Sequence, residues 1–345
     1  MSPLSPKAFY LVLALLAGAG VCSAQGRRGG RGGGGFGGGG GFGGGGGFGG
    51  GGGSMVPLEG GARVDENTVR TAREAETHSV GLPVWNNPPT FRHDTFTFAR
   101  IIFHKSAYGG GGGLGGIFGG GGRGGGGRIG WWIDYPDADL NLSARLQQLT
   151  SLKVDPDARV LRLTDADLPR YPFLYAVHVE DISLSEAELT AFRKYLRAGG
   201  ALLVSDFWGP QAWDSFASEM NRVLPGRGWV DLPKEHPIFH NVFELKWPLS
   251  NLQVPTHSGL DAWNRNYVPS DPNSRATISR GAETLDMHVR AWLDDKGRIM
   301  ILALHNTDIS DGWEREGESP EYFKLFSETR AYPLAINIIY YLMTH

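Results

Sequence analysis

Apolar and polar positions repeat with two different periods along this chain, and the period switches several times after Asp134. Phe96 to Phe103 alternates as a strand does. Val160–Leu163, Phe173–Val179 and Ala201–Val204 are short apolar runs of strand length. Helical patterns lie among them. Leu140, Leu142, Leu146 and Leu149 mark one helix. Ser185 and Glu188 form a capping box for the next, with Leu184 and Leu189 as a hydrophobic staple and Gly199 as its stop. Pro210 opens a third helix, which carries Trp213, Phe216, Ala217, Met220 and Val223 at helical spacing up to Pro225-Gly226. His288 to Leu304 reads as a hairpin around Asp295-Lys296-Gly297, and Leu334–Met343 as a buried helix that is apolar all round. This alternation predicts an α/β fold of three layers, a mostly parallel sheet with helices on both faces.

Two glycine tracts interrupt the pattern. Gly26 to Gly53 is nearly all glycine, with too few side chains to offset the entropy of ordering, so a disordered tether is expected there. Met55 to Ser79 is polar and charged and reads as a loose lead-in. Gly109 to Gly127 reads as an expanded surface loop, since it lacks the Lys-Ser/Thr pair of a phosphate-cradling loop. Ahead of all this, Lys7, the apolar stretch Ala8–Gly20 and the small residues Cys22-Ser23-Ala24 have the form of a cleavable export signal, with Gln25 as the mature start. The expected organisation is therefore a signal peptide over 1–24, a glycine-rich and polar linker over 25–79, and one α/β domain over 80–345. The expected location is periplasmic or extracellular.

Composition narrows the chemistry. Cleavage after Ala24 removes the only cysteine, leaving no thiolate nucleophile or ligand. A net charge of −3 excludes a general nucleic-acid binder. No run after the export signal has the length and apolarity of a transmembrane helix.

In open α/β sheets, ligands bind beyond the carboxyl ends of the strands. There the sequence places Thr164-Asp165, Glu180-Asp181, Ser205-Asp206-Phe207-Trp208 and His305-Asn306-Thr307-Asp308, with Asp311 and Trp313 beyond. Asp134, Asp137 and Asp139 precede a helix that Asp139 or Asn141 would cap. Asp134, Asp206, Trp208, His305, Asn306 and Asp308 form the candidate ligand-binding edge. Three readings stay open: helix caps and turns; a hard-cation or hydrolytic site in which Asp206, Asp134 and Asp308 supply oxygen and His305 acts as acid, base or ligand; and a glycan site with tryptophans as stacking platforms. His236 and His240 have the spacing of two zinc ligands on a helix, but Pro237 between them argues for a turn. No spacing names a metal or a cofactor.

Several of these blocks, in this order, carry a family resemblance. They are Trp131–Asn141 (WWIDYPDADLN), Leu149–Val154, Gly199–Gly209 (GGALLVSDFWG), His236–His240 (HPIFH), His305–Glu316 (HNTDISDGWERE) and Tyr332–His345 (YPLAINIIYYLMTH). From about Phe96 to the C-terminus the chain resembles the bacterial domain-of-unknown-function 4159 family. The resemblance implies a class I glutamine-amidotransferase-like, flavodoxin-like sheet, shared with trehalose-utilisation-type proteins. It places Asp206 near the position of the amidotransferase cysteine, and without a cysteine glutaminase chemistry is excluded. The leading expectation is a non-catalytic envelope binding or assembly module with a protein or glycan partner. The alternative is a cation-assisted or carboxylate-based hydrolase acting on a glycan or similar polymer.

Overall fold

The apolar runs form the strands of one seven-stranded sheet in the computed structural model, which describes residues 55–79, 81–91, 94–105, 130–257, 263–271, 273–277 and 280–345. The segment expected to be an export signal, the first glycine tract and the segment expected to be a loop insert lie outside the described residues. The strands are β1 (Ala99–Ile102), β2 (Arg159–Arg162), β3 (Phe173–Val177), β4 (Ala201–Ser205), β5 (Trp229–Asp231), β6 (His288–Leu293) and β7 (Ile299–His305). Their order across the sheet is β5-β6-β7-β4-β3-β1-β2. From β2 to β7 the pairings are parallel, with Leu202 beside Leu174 and beside Ile301. β6 runs antiparallel to β7 and β5 antiparallel to β6.

The central strands are apolar throughout because they are covered on both faces. Every residue of β1, β3, β4 and β7 is buried. Helix α1 (Asp137–Leu149) packs with α4 (Tyr332–Thr344), and α2 (Glu186–Arg197) with α3 (Gly209–Val223). The predicted α/β architecture is therefore the observed one. Local signals set the helix ends. Ser185 Oγ accepts from Glu188 N at 3.3 Å while Glu188 Oε2 accepts from Ser185 N at 2.9 Å, the expected capping box. Gly199, at φ 114°, ends the segment after α2 in a conformation that a side chain would strain.

Three local expectations change. Helix α1 starts at Asp137 with no side-chain cap, because Asp139 turns inward to Arg100 and Asn141 donates to the Trp313 carbonyl at 2.8 Å. Helix α4 is buried up to Ile339, but Tyr340 and Met343 are exposed, so it is not apolar-covered all round. Residues 55–79, read as a lead-in outside the domain, belong to the packed unit. Met55–Pro57 pairs with Arg63–Asp65, and Val56, Leu58, Val64, Val69 and Ala72 are buried. Val160 N in β2 donates to Arg70 O at 2.9 Å, so this arm lies along the edge of the sheet. Glu59 pairs with Arg315, and His78 Nδ1 is 2.7 Å from Asp137 Oδ2. Single-residue polarity hid the arm, since its few apolar side chains follow no long period.

Candidate metal centre

The chain goes from β1 to β2 on one side and then returns to β3 on the other, so the direction of winding reverses at β1 and β3, and sheets of this kind bind their ligands beyond the carboxyl ends there. The backbone is unusual there. Among the described residues, five non-glycine residues have a left-handed φ: Asp134 (61°), Ala158 (53°), His178 (51°), Asp206 (54°) and Asn306 (61°). His178, Asp206 and Asn306 each directly follow a parallel strand, β3, β4 and β7, and Asp134 stands just before α1. Such a conformation costs about 1–3 kcal/mol per residue and persists where the surroundings enforce it. Here it turns each polar side chain back over the strand ends.

Three of the expected carboxylates meet. Asp134, Asp206 and Asp308 each bring one oxygen to within 4.8 Å of the others, and their exposures are only 7%, 2% and 3%. Asp134 Oδ2 is buried without a hydrogen-bond partner. Asp308 Oδ1 accepts from Ser310 Oγ at 3.2 Å and from the Asp311 amide at 3.0 Å. A second set, Asp134, Asp311 and Glu314, also converges within 4.8 Å. Crowding buried negative charge favours protons. Burial, then Asp311 and Asp206, push the Asp134 carboxyl up to about 8. Burial, then Asp206, Asp311 and Asp134, hold Asp308 well above the usual carboxylate range. Burial and then Asp134 do the same to Glu314.

Asp206 is the exception, because it has a cation. His178 Nε2 lies 2.6 Å from Asp206 Oδ2, and Trp208 Nε1 donates to Oδ1 at 2.9 Å. Burial would raise the Asp206 carboxyl, but the charge of His178 holds it below its ordinary value. Burial would likewise lower His178, yet Asp206 and then Glu180 raise it to about 10. On the far side of the ring, His178 Nδ1 is 3.4 Å from Glu180 Oε1, which Lys105 Nζ meets at 2.6 Å. A line of alternating charge thus runs Lys105, Glu180, His178, Asp206. Glu180, buried but flanked first by His178 and then by Lys105, falls to about 2.

The other expected edge residues do different work. His305 does not face the carboxylates. Its Nε2 is 2.9 Å from the Gly209 carbonyl and its Nδ1 3.3 Å from an Arg290 nitrogen, and burial lowers it to about 3, so it stays neutral and structural. Asn306 is a clamp: its Oδ1 accepts from Gly209 N at 2.8 Å and its Nδ2 donates to the carbonyls of Asp286 (2.9 Å) and Glu283 (3.1 Å). Trp208 does border the site, half-buried, but Arg280 stacks on its ring at 4.4 Å and covers one face. Trp313 is wholly buried and cannot act as a platform. His236 and His240 flank the one-turn segment Pro237–Phe239 and do not converge: His236 Nδ1 accepts from Ile238 N, and His240 pairs with Glu244.

Sequence reading placed Glu180 at a strand end but missed His178, Lys105, Arg100 and Glu314. His178 was hidden because the apolar run Phe173–Val179 was read as one strand, whereas β3 stops at Val177. A histidine breaking a fully apolar run was the available signal. Arg100 sits inside β1, completely buried. It donates through Nε to both Asp139 oxygens at 3.0 Å and through Nη1 to the carbonyls of Trp131 (3.0 Å) and Ile133 (2.9 Å). It therefore fixes the turn that presents Asp134.

The arrangement is that of an α/β protein with an acid-rich site at its sheet edge. The chain belongs to the DUF4159 family, a domain of unknown function, whose model matches residues 125–343. The match includes all five clustered carboxylates and His178 and leaves β1, with Arg100, outside. No curated protein matches the chain.

Proposed function

We propose that Asp134, Asp206 and Asp308 hold a hard divalent cation, and that the centre serves a cation-assisted hydrolytic reaction on a glycan or similar polar polymer outside the cytoplasm. One observation carries the reading: three buried carboxylates converge, and Asp134 Oδ2 is buried with no donor. Mg²⁺, Mn²⁺ and Ca²⁺ prefer such all-oxygen sets, and a bound cation would replace the protons that the empty cluster needs. His178 supplies a positive charge beside Asp206 and keeps that carboxylate ionised for coordination.

A second reading has its own support. The near-complete burial of the three carboxylates suits a structural cation in a non-catalytic envelope binding or assembly module. On that reading the amidotransferase-like scaffold implied by the sequence has kept its fold and holds Asp206 where the nucleophile would stand.

Calorimetric titration of the full chain with Mg²⁺, Mn²⁺ and Ca²⁺, beside Asp134→Asn, tests the centre. Binding that disappears in the variant supports it. No binding to the wild-type chain would make the cluster a proton-sharing structural core. Release of reducing ends from cell-wall glycans, dependent on the cation, then separates hydrolase from module.

A further inference from the structure

The cluster does not end at Asp308. The turn after β7 supplies Asp308 to one set of carboxylates and then, through the one-turn helix Asp311–Glu314, supplies Asp311 and Glu314 to a second. Residues three apart on a helical turn share a face, so Asp311 and Glu314 point the same way. Asp134 belongs to both sets. From the geometry we infer that the centre is dinuclear, with Asp134 as the carboxylate bridging one cation at Asp206 and Asp308 and a second at Asp311 and Glu314.

Two observations beyond the acidity itself point to the second ion. Glu314 is 1% exposed, and its Oε2 takes no hydrogen bond although Arg315 Nε is only 2.8 Å away. That contact is an ion pair without hydrogen-bond alignment, and it leaves the buried oxygen without a hydrogen-bond donor. Asp134 Oδ2 is likewise without a donor, and a carboxylate between two ions uses both oxygens. Two ions in such a pair would also hold a water or hydroxide between them.

This inference rests on the cation reading above, and the experiment distinguishes their failures. The full chain is loaded with Mn²⁺, freed of excess by gel filtration, and its manganese counted and examined by electron paramagnetic resonance. Two ions per chain with an exchange-coupled spectrum are expected, and one ion with an isolated-Mn²⁺ spectrum in Glu314→Gln. One uncoupled ion in the wild-type chain would overturn the dinuclear centre and leave the mononuclear site standing. No bound manganese would overturn both. The wild-type count and spectrum decide the matter even if Glu314→Gln fails to fold. If that variant folds, two coupled ions persisting in it would remove Glu314 from the centre.

Discussion

His178 and Asp206, each the first residue after a parallel strand and each in the left-handed region, meet with 2.6 Å between Nε2 and Oδ2. The pair places a positive charge against Asp206, which it holds below its ordinary value. It also makes stability pH-dependent in a defined sense. His178 is raised from 6.5 to about 10, so its contribution is complete below pH 6.5 and is lost as pH rises through about 10. Asp206, held below its ordinary value, contributes above that value and loses its contribution as pH falls through the lowered one. In His178→Gln the fall in melting temperature between pH 6.5 and about 10 should be shallower than in the wild-type chain. The variant should also be less stable at neutral pH by about 3–5 kcal/mol, the cost of leaving a buried charge unpaired. Equal slopes in the two proteins would show that the pair does not form.

Asp134 and Asp308 set the pH dependence of cation binding. Asp134, raised to about 8, and Asp308, held well above the usual carboxylate range, must each lose a proton to coordinate. Affinity for Mg²⁺ or Mn²⁺ should therefore rise with pH up to about 8, by about tenfold per unit for each proton displaced. Titration across that range checks it. A flat profile would place the cation elsewhere.

The same raised group destabilises the empty protein as pH increases. Its contribution declines from 3.8 upwards and is gone near 8. Without cation, Asp134→Asn should melt above the wild-type chain at neutral to mildly alkaline pH, with each kcal/mol worth about 2–4 °C. With saturating cation the order should reverse. A variant less stable than wild type under both conditions would contradict the charge-repulsion account.

Arg100→Met removes the cation that neutralises Asp139 and releases the Trp131 and Ile133 carbonyls. A loss of about 3–5 kcal/mol is expected, together with weaker cation binding, because the turn carrying Asp134 loosens. Chemical denaturation and titration measure the two effects. Unchanged affinity would show that the turn holds its shape without Arg100.

His305→Asn tests the structural role of that histidine. Losing its bond to the Gly209 carbonyl should cost about 1–3 kcal/mol. Cation affinity should stay within about twofold of wild type, since the ring does not face the carboxylates. A tenfold loss on titration would return His305 to the site.

Much of the architecture was legible in the sequence because it is local. The alternation of strand-length and helix-length periods, the Ser185–Glu188 capping box and the turn around Gly297 depend on residues a few positions apart, and each appears where expected. The rule that ligands gather at strand ends also located Asp134, Asp206 and Asp308. Residues at the same ends then diverged. His305, which looked like chemistry, faces Gly209 and Arg290, and Asn306 is a backbone clamp.

The sequence by itself determined the fold class, the family and the edge of the sheet where polar groups collect, since these follow from periodicity and from which residues end each apolar run. Only the tertiary structure decided which polar groups meet. Asp134 and Asp206, 72 positions apart, converge because β1, β3, β4 and β7 stand side by side and parallel, so that the segments beyond their carboxyl ends meet at one edge of the sheet. The left-handed turns at Asp134, His178 and Asp206, residue types that tolerate that conformation better than most, then bring those side chains together.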